Sequence, residues 1–408
     1  MFKRLHRFRT NENILIAVDM LLHSKTAFMN IFLMAFMMRI SLSESPMDFL
    51  IYCLIKYFSM GIFSLLLMNT MRKHVLASWR FSMVFSVLQI VIIIMMGGKS
   101  PWFTYVLAPF TGLESVLYWR PKIYFDVAEV AEERRVRYIT FGQILNEVGK
   151  IVMPIILGVL ISDKGYQGAA VVILAIAAME LMLSILFRPT RSVQIKRGHN
   201  ANQIWKYVLK HKSLRKLLLI QFFRGIVSTS AAYVVISQIH IYRALGSDVS
   251  LGIFTSVAAG ISVVFLYIYR KLATSRRRRV FVMATTLPAV ILVPFLALCM
   301  PGDSLIAIAL YLIAQSLLES YWSITVAFSR LQSILKQHVH DNAFHIEIEC
   351  VSEAFLTVGR IISLGLLFLL FAIGQDQYML QYLLFTSFGI IPLALLSLPS
   401  KQKSKNMV

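Results

Sequence analysis

Apolar segments of about 20 residues recur along nearly the whole chain, separated by mostly short polar intervals. A helix needs about 20 apolar residues to cross the hydrocarbon core of a bilayer. Of the 408 residues, 58% are hydrophobic and only 15% are Asp, Glu, Lys or Arg, too few charges for the surface of a soluble protein of this size. The pattern predicts an all-α polytopic membrane protein.

We predict twelve transmembrane helices in two pseudo-symmetric six-helix bundles. The one long polar and basic interval divides the chain into an N-terminal bundle (1–187), a cytoplasmic linker (188–215) and a C-terminal bundle (216–408). Within this linker, 204–214 has the pattern of a short amphipathic helix on the membrane surface. Spans 1 to 12 are predicted at about 14–38, 46–68, 82–97, 102–119, 138–161, 168–187, 216–241, 249–270, 280–300, 304–328, 348–373 and 378–399.

The net charge of +21 invites comparison with nucleic-acid-binding proteins, but the basic residues lie in alternate loops instead of on one domain. Of the 41 Lys and Arg residues, 32 fall in one set of loops and tails and four in the opposite set. This asymmetry follows the positive-inside rule and predicts that both termini are cytoplasmic. We expect a monomer in a bacterial cytoplasmic membrane and no nucleic-acid partner.

Two segments about two hundred residues apart, 111–158 and 316–365, resemble each other. Leu113-Glu114-Ser115 is repeated as Leu318-Glu319-Ser320, and Val148-Gly149-Lys150 is repeated as Val358-Gly359-Arg360. Paired halves with charges at matching positions inside the membrane are typical of secondary transporters. The repeat therefore predicts a transporter built from two related halves.

Polar residues at spacings of three and four form stripes on spans 1, 4, 5, 7, 10 and 11, and such stripes predict a wet cavity between the halves. A charge inside a bilayer is costly and therefore a functional candidate. The candidates for proton coupling are Glu114, Glu319, Glu147 and Asp19. The candidates for charge pairing or substrate contact are Lys25, Lys150, Arg224, Arg360, His23, Trp322 and Tyr118.

One hypothesis pairs Glu114 with Lys150 and Glu319 with Arg360, each carboxyl alternating between an ion pair and its protonated form. The alternative is that buried pairs only lock helices together, and Glu147 and Lys150 are placed to pair along one helix. For Glu180, alone on span 6, the sequence favours a structural role.

The chain contains no phosphate-binding loop, catalytic triad or HExxH motif. The segment 338–350 is rich in His and acidic residues, but its spacing fits no zinc site. We therefore predict no enzyme activity, no cofactor and no metal.

The stretch from Gly112 to Trp119, followed by Glu132-Glu133-Arg134-Arg135-Val136-Arg137, resembles the fourth span and the following loop of the major facilitator superfamily. Gly149, Met153-Pro154 and Leu157-Gly158 resemble that family's antiporter motif, with two of its glycines replaced. The family's gate motif after span 2 falls at MNTMRKHVLASWR, which lacks its glycine and aspartate. The resemblance implies alternating access, with spans 1, 4, 7 and 10 lining the cavity.

Three functions fit this sequence. The first, which the sequence favours over the other two, is proton-coupled efflux by antiport of a small amphipathic molecule, a drug or a lipid-like compound, suggested by the span 5 motif and by Tyr118, Trp119, Tyr321 and Trp322 beside the acids. The second is a proton-coupled uptake symporter for a small polar nutrient. The third is a membrane receptor or assembly protein that keeps the fold without transport.

Overall fold

The computed structural model describes residues 10–40, 47–96, 102–130, 132–189, 201–227, 247–272, 345–374, 382 and 390–397, and these residues form helices without strands. Predicted spans 9 and 10 lie outside them. The helices are Thr10–Ala27, a π-helical turn Phe28–Phe32 and Leu33–Ile40 (span 1), Met47–Leu66 (span 2), Met68–Lys73, Val75–Met96 (span 3), Trp102–Ala128 (span 4), Glu132–Leu186 (spans 5 and 6), Ala201–Lys210, Lys212–Val227 (span 7), Asp248–Leu272 (span 8), His345–Ala372 (span 11) and Ile390–Ser397 (span 12).

Five helices of the described part are long and apolar enough to cross a membrane. One of them, Phe141–Leu186, has 46 residues, about twice what a bilayer requires. Its helical geometry is interrupted at Gly165, where φ is 69° and ψ is 179°. Glycine adopts this conformation readily because it has no Cβ. Gly165 therefore separates spans 5 and 6 within the predicted interval, while the total of twelve spans stays a prediction.

The described helices pack in the same way in the two halves of the sequence. Span 5 packs against span 1, and the corresponding span 11 packs against span 7. The two halves contact each other through span 2 with span 11 and through span 5 with span 8. These contacts follow the internal repeat. The assignment of 1–187 and 216–408 as complete bundles stays a prediction.

The repeated glycines of spans 5 and 11 lie at these packing contacts. A Cβ added to Gly359 of span 11 would collide with the carbonyl oxygen of Phe222 and would lie 3.0 Å from the Cα of Gly225 on span 7. A Cβ added to Gly149 of span 5 would meet the Ser24 hydroxyl of span 1 at an ordinary 3.4 Å. Glycine at position 359 thus permits backbone contact between spans 11 and 7.

The helix Ala201–Lys210 confirms the amphipathic segment expected in the linker. Ile204 and Val208 are buried against the protein, at 2% and 1% exposure, whereas Trp205 and Leu209 are exposed beside them. The Trp205 ring lies edge-on to Phe355 of span 11, with 6.0 Å between the ring centroids. The linker helix is therefore attached to the end of span 11 and also presents an apolar face outward.

Candidate functional site

Span 1 has a buried charged face and an open polar face. Asp19 and Lys25 are buried at 7% and 3% exposure. His23 and Thr26 are partly exposed and Asn30, in the π-helical turn, is exposed. The last three residues share one side of the helix, and a side that faced lipid would be apolar. This polar face includes a π-helical turn of the kind often found at functional sites, and the wet cavity that it would border stays a prediction.

The buried face of span 1 builds a charged cluster with spans 3, 4 and 6. The Lys25 ammonium donates hydrogen bonds to Glu114 and to the Ser86 hydroxyl, and it lies 3.8 Å from Glu180 Oε2. Gln89 Nε2 donates to Glu114 Oε2 at 2.9 Å. Lys25 and Glu114 thus form hydrogen bonds with each other and with polar side chains of span 3. It lies inside the N-terminal half, away from the open face of span 1.

The predicted pairing of Glu114 with Lys150 is therefore wrong. Glu114 pairs with Lys25, and the Lys150 ammonium binds Glu147 Oε1 at 2.8 Å one helical turn away. The physical reason is helix rotation: Glu114 points into the N-terminal half, where Lys25 is the adjacent cation. The alternative pairing of Glu147 with Lys150 along one helix is confirmed.

Lys150 nevertheless reaches open space. Its side chain is 39% exposed, and it lies on the side of span 5 opposite the exposed Val148, Val152 and Val159. Those valines form a lipid-facing stripe, because large apolar side chains are exposed where the surroundings are hydrocarbon. The ammonium of Lys150 is therefore directed toward the interior, in keeping with the polar cavity that the stripes predict.

Asp19 forms a second cluster, toward the predicted cytoplasmic end of the N-terminal half. Asn146 Nδ2 donates to Asp19 at 2.9 Å, the Tyr118 hydroxyl donates to it at 3.4 Å, and Lys122 Nζ lies 3.5 Å away. Lys122 also binds Asp126 at 2.9 Å. Lys122 lies on the span 4 helix, past residue 119 at which the predicted membrane span ends; burial alone would lower its pKa, but Asp126 and Asp19 outweigh burial and raise it. Lys122 therefore stays charged and holds spans 1 and 4 together.

A third cluster joins the two halves of the sequence. The Arg120 guanidinium, at the end of predicted span 4, donates to the Glu349 carboxylate at 2.8 Å and to its carbonyl oxygen at 3.2 Å, and it also binds Glu353. Arg360 Nη1 lies 3.3 Å from the other oxygen of Glu353. All four residues are buried. The Glu353 carboxylate thus bridges a cation of the N-terminal half and a cation of its own helix.

A neighbouring pair repeats this arrangement. Arg72 of the short helix after span 2 binds Glu347 Oε1 at 3.2 Å, and the Ser64 hydroxyl donates to the carbonyl oxygen of Cys350 at 2.9 Å. Both carboxylates, Glu347 and Glu349, lie in the first turns of span 11. The N-terminal half therefore contacts the start of span 11 through two arginines. We name the set Arg72, Arg120, Glu347, Glu349 and Glu353 the arginine gate.

Arg360 contributes to the same boundary. Its guanidinium lies 4.7 Å from the centroid of the Tyr57 ring on span 2, a distance at which a cation and an aromatic face attract each other. The predicted partner of Arg360, Glu319, lies outside the described residues, as does Trp322. The described acidic partner of Arg360 is Glu353, which lies two helical turns earlier on the same helix.

The other predicted candidates are dispersed. His23 contacts the Trp119 ring edge-on with 6.0 Å between centroids, whereas Tyr118 is fully buried. Arg224 is partly buried on span 7. The structure thus brings Lys25 to Glu114, Asp19 to Tyr118, and Lys150 to Glu147.

The arginine gate was not among the candidates from the sequence. Arg72 and Arg120 counted there only as cytoplasmic loop bases, and Glu347 and Glu349 only as part of a polar loop. The signal in the sequence was the group of three glutamates, at 347, 349 and 353, near the start of an apolar helix. Acidic residues there require cations from elsewhere once the helix end is buried.

The chain matches no protein-family model and no curated protein. Its structure is similar to that of a variant of the E. coli fucose:proton symporter, with 12% identity, a TM-score of 0.64 and coverage of 95% of this chain and 97% of that one. It is similar to a D-xylose–proton symporter, with 11% identity, a TM-score of 0.67 and coverage of 95% and 96%. It is also similar to a bacterial homologue of the iron transporter ferroportin in an outward-facing state, with 15% identity, a TM-score of 0.65 and coverage of 96% and 100%.

These similarities and the long apolar helices define an integral, multi-pass, all-α membrane protein. At such low identity the likeness concerns the fold. The chain has the fold of the major facilitator superfamily, as its motifs suggested.

Proposed function

We propose that this protein is a secondary active transporter that works by alternating access. The observation that carries the proposal is the arginine gate, in which a buried arginine of span 4 and one of the short helix after span 2 bind carboxylates at the start of span 11. Desolvation offsets much of the attraction within a buried ion pair, so its net stability relative to hydrated charges is small. A contact of this kind closes the cytoplasmic side and also opens without a large loss of free energy.

Proton coupling is the second part of the proposal. Glu114 and Lys25 meet inside the N-terminal half, and Asp19 binds Asn146 and Tyr118 between spans 1, 4 and 5. A carboxyl that changes between an ion pair and a neutral acid takes up or releases one proton. Asp19 lies on the same helix as the open face of span 1, and Glu114 binds Lys25 of that helix, so their protonation is connected to the polar face of span 1.

The cargo that fits the described lining is a small polar solute. His23, Thr26 and Asn30 supply polar groups to the open face of span 1, and Lys150 on span 5 supplies an ammonium paired with Glu147. Tyr118, which suggested an amphipathic cargo, is 1% exposed and packs on Trp119 with 5.2 Å between centroids. Because Tyr118 is buried, the described lining favours a polar nutrient over a drug or lipid-like molecule, and we propose that this nutrient is taken up together with protons.

The test uses purified protein in liposomes that contain a pH-sensitive dye. We expect one class among neutral monosaccharides, amino acids and carboxylic acids to cause a proton flux on addition, and a cationic amphipathic dye to cause none. Glu114→Gln should abolish the solute-induced proton flux, whereas Asp163→Asn, on the exposed turn between spans 5 and 6, should retain it.

The direction of transport is determined by measuring flux in vesicles of known orientation. A symporter for uptake fills right-side-out vesicles that are acidic outside, and an antiporter for export fills everted vesicles that are acidic inside. Flux of the amphipathic dye alone, in everted vesicles, would replace the proposed uptake with export. Folded protein without flux of any compound on the panel would favour the non-transporting alternative.

A further inference from the structure

Glu180 of span 6 is buried without the partners that a carboxylate requires. Its exposure is 0%, and neither carboxyl oxygen accepts a hydrogen bond from any residue that the structure describes. The ammonium nitrogen of Lys25 lies 3.8 Å from Oε2, within ion-pair range but beyond hydrogen-bond length. A buried carboxylate without donors carries a desolvation penalty of several kcal/mol, whereas the neutral acid carries a much smaller one.

The surrounding charges add to that penalty. Lys25 already donates to Glu114 and Ser86, and Glu114 also accepts from Gln89. One ammonium therefore faces two carboxyl groups in a closed space, and a second negative charge there would be uncompensated. Asp19 of span 1 and Tyr118 of span 4 are the other titratable groups near Glu180. Asp19 is itself negative, so it also disfavours an ionised Glu180.

We propose that Glu180 is a proton-binding site and that Lys25 is its switch. When Lys25 binds Glu114, Glu180 holds one proton and the cluster is neutral. When the proton leaves to water, the Glu180 carboxylate takes Lys25 as its ion-pair partner, and Glu114 becomes the group able to accept a proton. Glu114 then takes up one proton from water, and when Lys25 returns to Glu114 that proton passes to Glu180, so each cycle moves one proton and Lys25 remains charged throughout.

The geometry favours a proton over a metal cation at this site. An ammonium 3.8 Å away would repel a sodium ion placed on Glu180, whereas a proton removes the negative charge and leaves the ammonium with Glu114. This inference rests on the proposed function only where it assigns the proton to transport.

Infrared difference spectroscopy of the purified protein in lipid tests the site without a transported solute. At neutral pH we expect the carbonyl band of a protonated carboxyl group in the wild-type protein. Glu180→Gln, which has the shape of the neutral acid, should remove the band and leave the melting temperature unchanged. Asp163→Asn should keep both.

Two further variants separate a switch from an isolated buried acid. Glu114→Gln frees Lys25 to bind Glu180, so the band should disappear although Glu180 is present. Lys25→Met removes the only described cation of the cluster, so the band should grow to about twice its intensity as both carboxyls become neutral. A band that Glu180→Gln leaves intact, or one that Glu114→Gln does not change, would overturn the proposal. So would loss of the band on replacing choline chloride by sodium chloride at constant pH.

The experiments distinguish failure of the proposed proton-binding site from failure of the proposed transport function. If the wild-type protein shows solute-driven proton flux but Glu180→Gln has the same infrared spectrum as the wild type, the proton-binding site is wrong and the transport function stands. If Glu180→Gln removes the infrared band but the wild-type protein moves no solute, the proton-binding site is supported and the proposed transport function is contradicted.

Discussion

Removal of Arg120 should open the cytoplasmic side. The Arg120 guanidinium binds both Glu349 and Glu353 across the boundary between the halves. Arg120→Met keeps most of the side-chain volume and removes the charge. Removing one partner of a buried ion pair costs about 3–5 kcal/mol. The loss applies only to the closed arrangement, because water solvates the same groups once the halves separate.

Since about 1.4 kcal/mol corresponds to a tenfold change in an equilibrium constant, the shift toward the open arrangement is roughly 100-fold to 4,000-fold. The assay is double electron–electron resonance between spin labels at Lys73 and Lys210, both exposed, in a background without Cys53, Cys299 and Cys350. We expect the distance distribution of Arg120→Met to move to longer distances.

Arg80→Met is the matched control. Arg80 donates to the carbonyl oxygens of Ser184, Ile185 and Phe187, so its contacts stay inside the N-terminal half. Its removal should lower stability without changing the label distance. A folded Arg120→Met protein with the wild-type distance distribution would refute the gate.

Two further predictions concern packing and lipid. Gly359→Ala should destabilise the protein by about 1–3 kcal/mol, as overpacked sites do, because its Cβ would strike the carbonyl oxygen of Phe222. Gly365→Ala, with open space at the same helix, should be neutral or stabilising by up to about 1 kcal/mol, and equal melting temperatures for the two variants would contradict the contact. The exposed Trp205 and Leu209 should lie in the lipid interface. Trp205 fluorescence should therefore be quenched by shallow brominated lipids, and quenching equal to that of a water-exposed tryptophan would rule this out.

The sequence was sufficient for the class of fold. Apolar run lengths and the internal repeat identified the membrane helices, and the break at Gly165 falls in the predicted interval between spans 5 and 6. These features depend on local hydrophobicity and spacing, which one sequence contains. The packing of span 5 on span 1 and of span 11 on span 7 agrees with the repeat, although the sequence analysis did not predict these pairs.

The ion-pair partners of the buried charged residues could not be predicted from the sequence in the same way. The position of Glu114 on its helix is fixed by sequence, but its partner depends on how span 4 is rotated against its neighbours. That rotation selects Lys25 over Lys150 and leaves Glu180 beside the same cation. The gate was missed because Arg120 and Glu349 are 229 residues apart, and neither belongs to a recognisable motif.

The unequal spacing of the two repeated helix pairs makes the halves mechanically different. Around Gly359, spans 11 and 7 touch main chain to main chain, so one cannot slide without moving the other. Around Gly149, a serine side chain separates spans 5 and 1, and span 1 also contains a π-helical turn. The pair of spans 7 and 11 should therefore be rigid and the pair of spans 1 and 5 more flexible. Thermal fluctuation should concentrate in spans 1 and 5, the pair that contains Lys25.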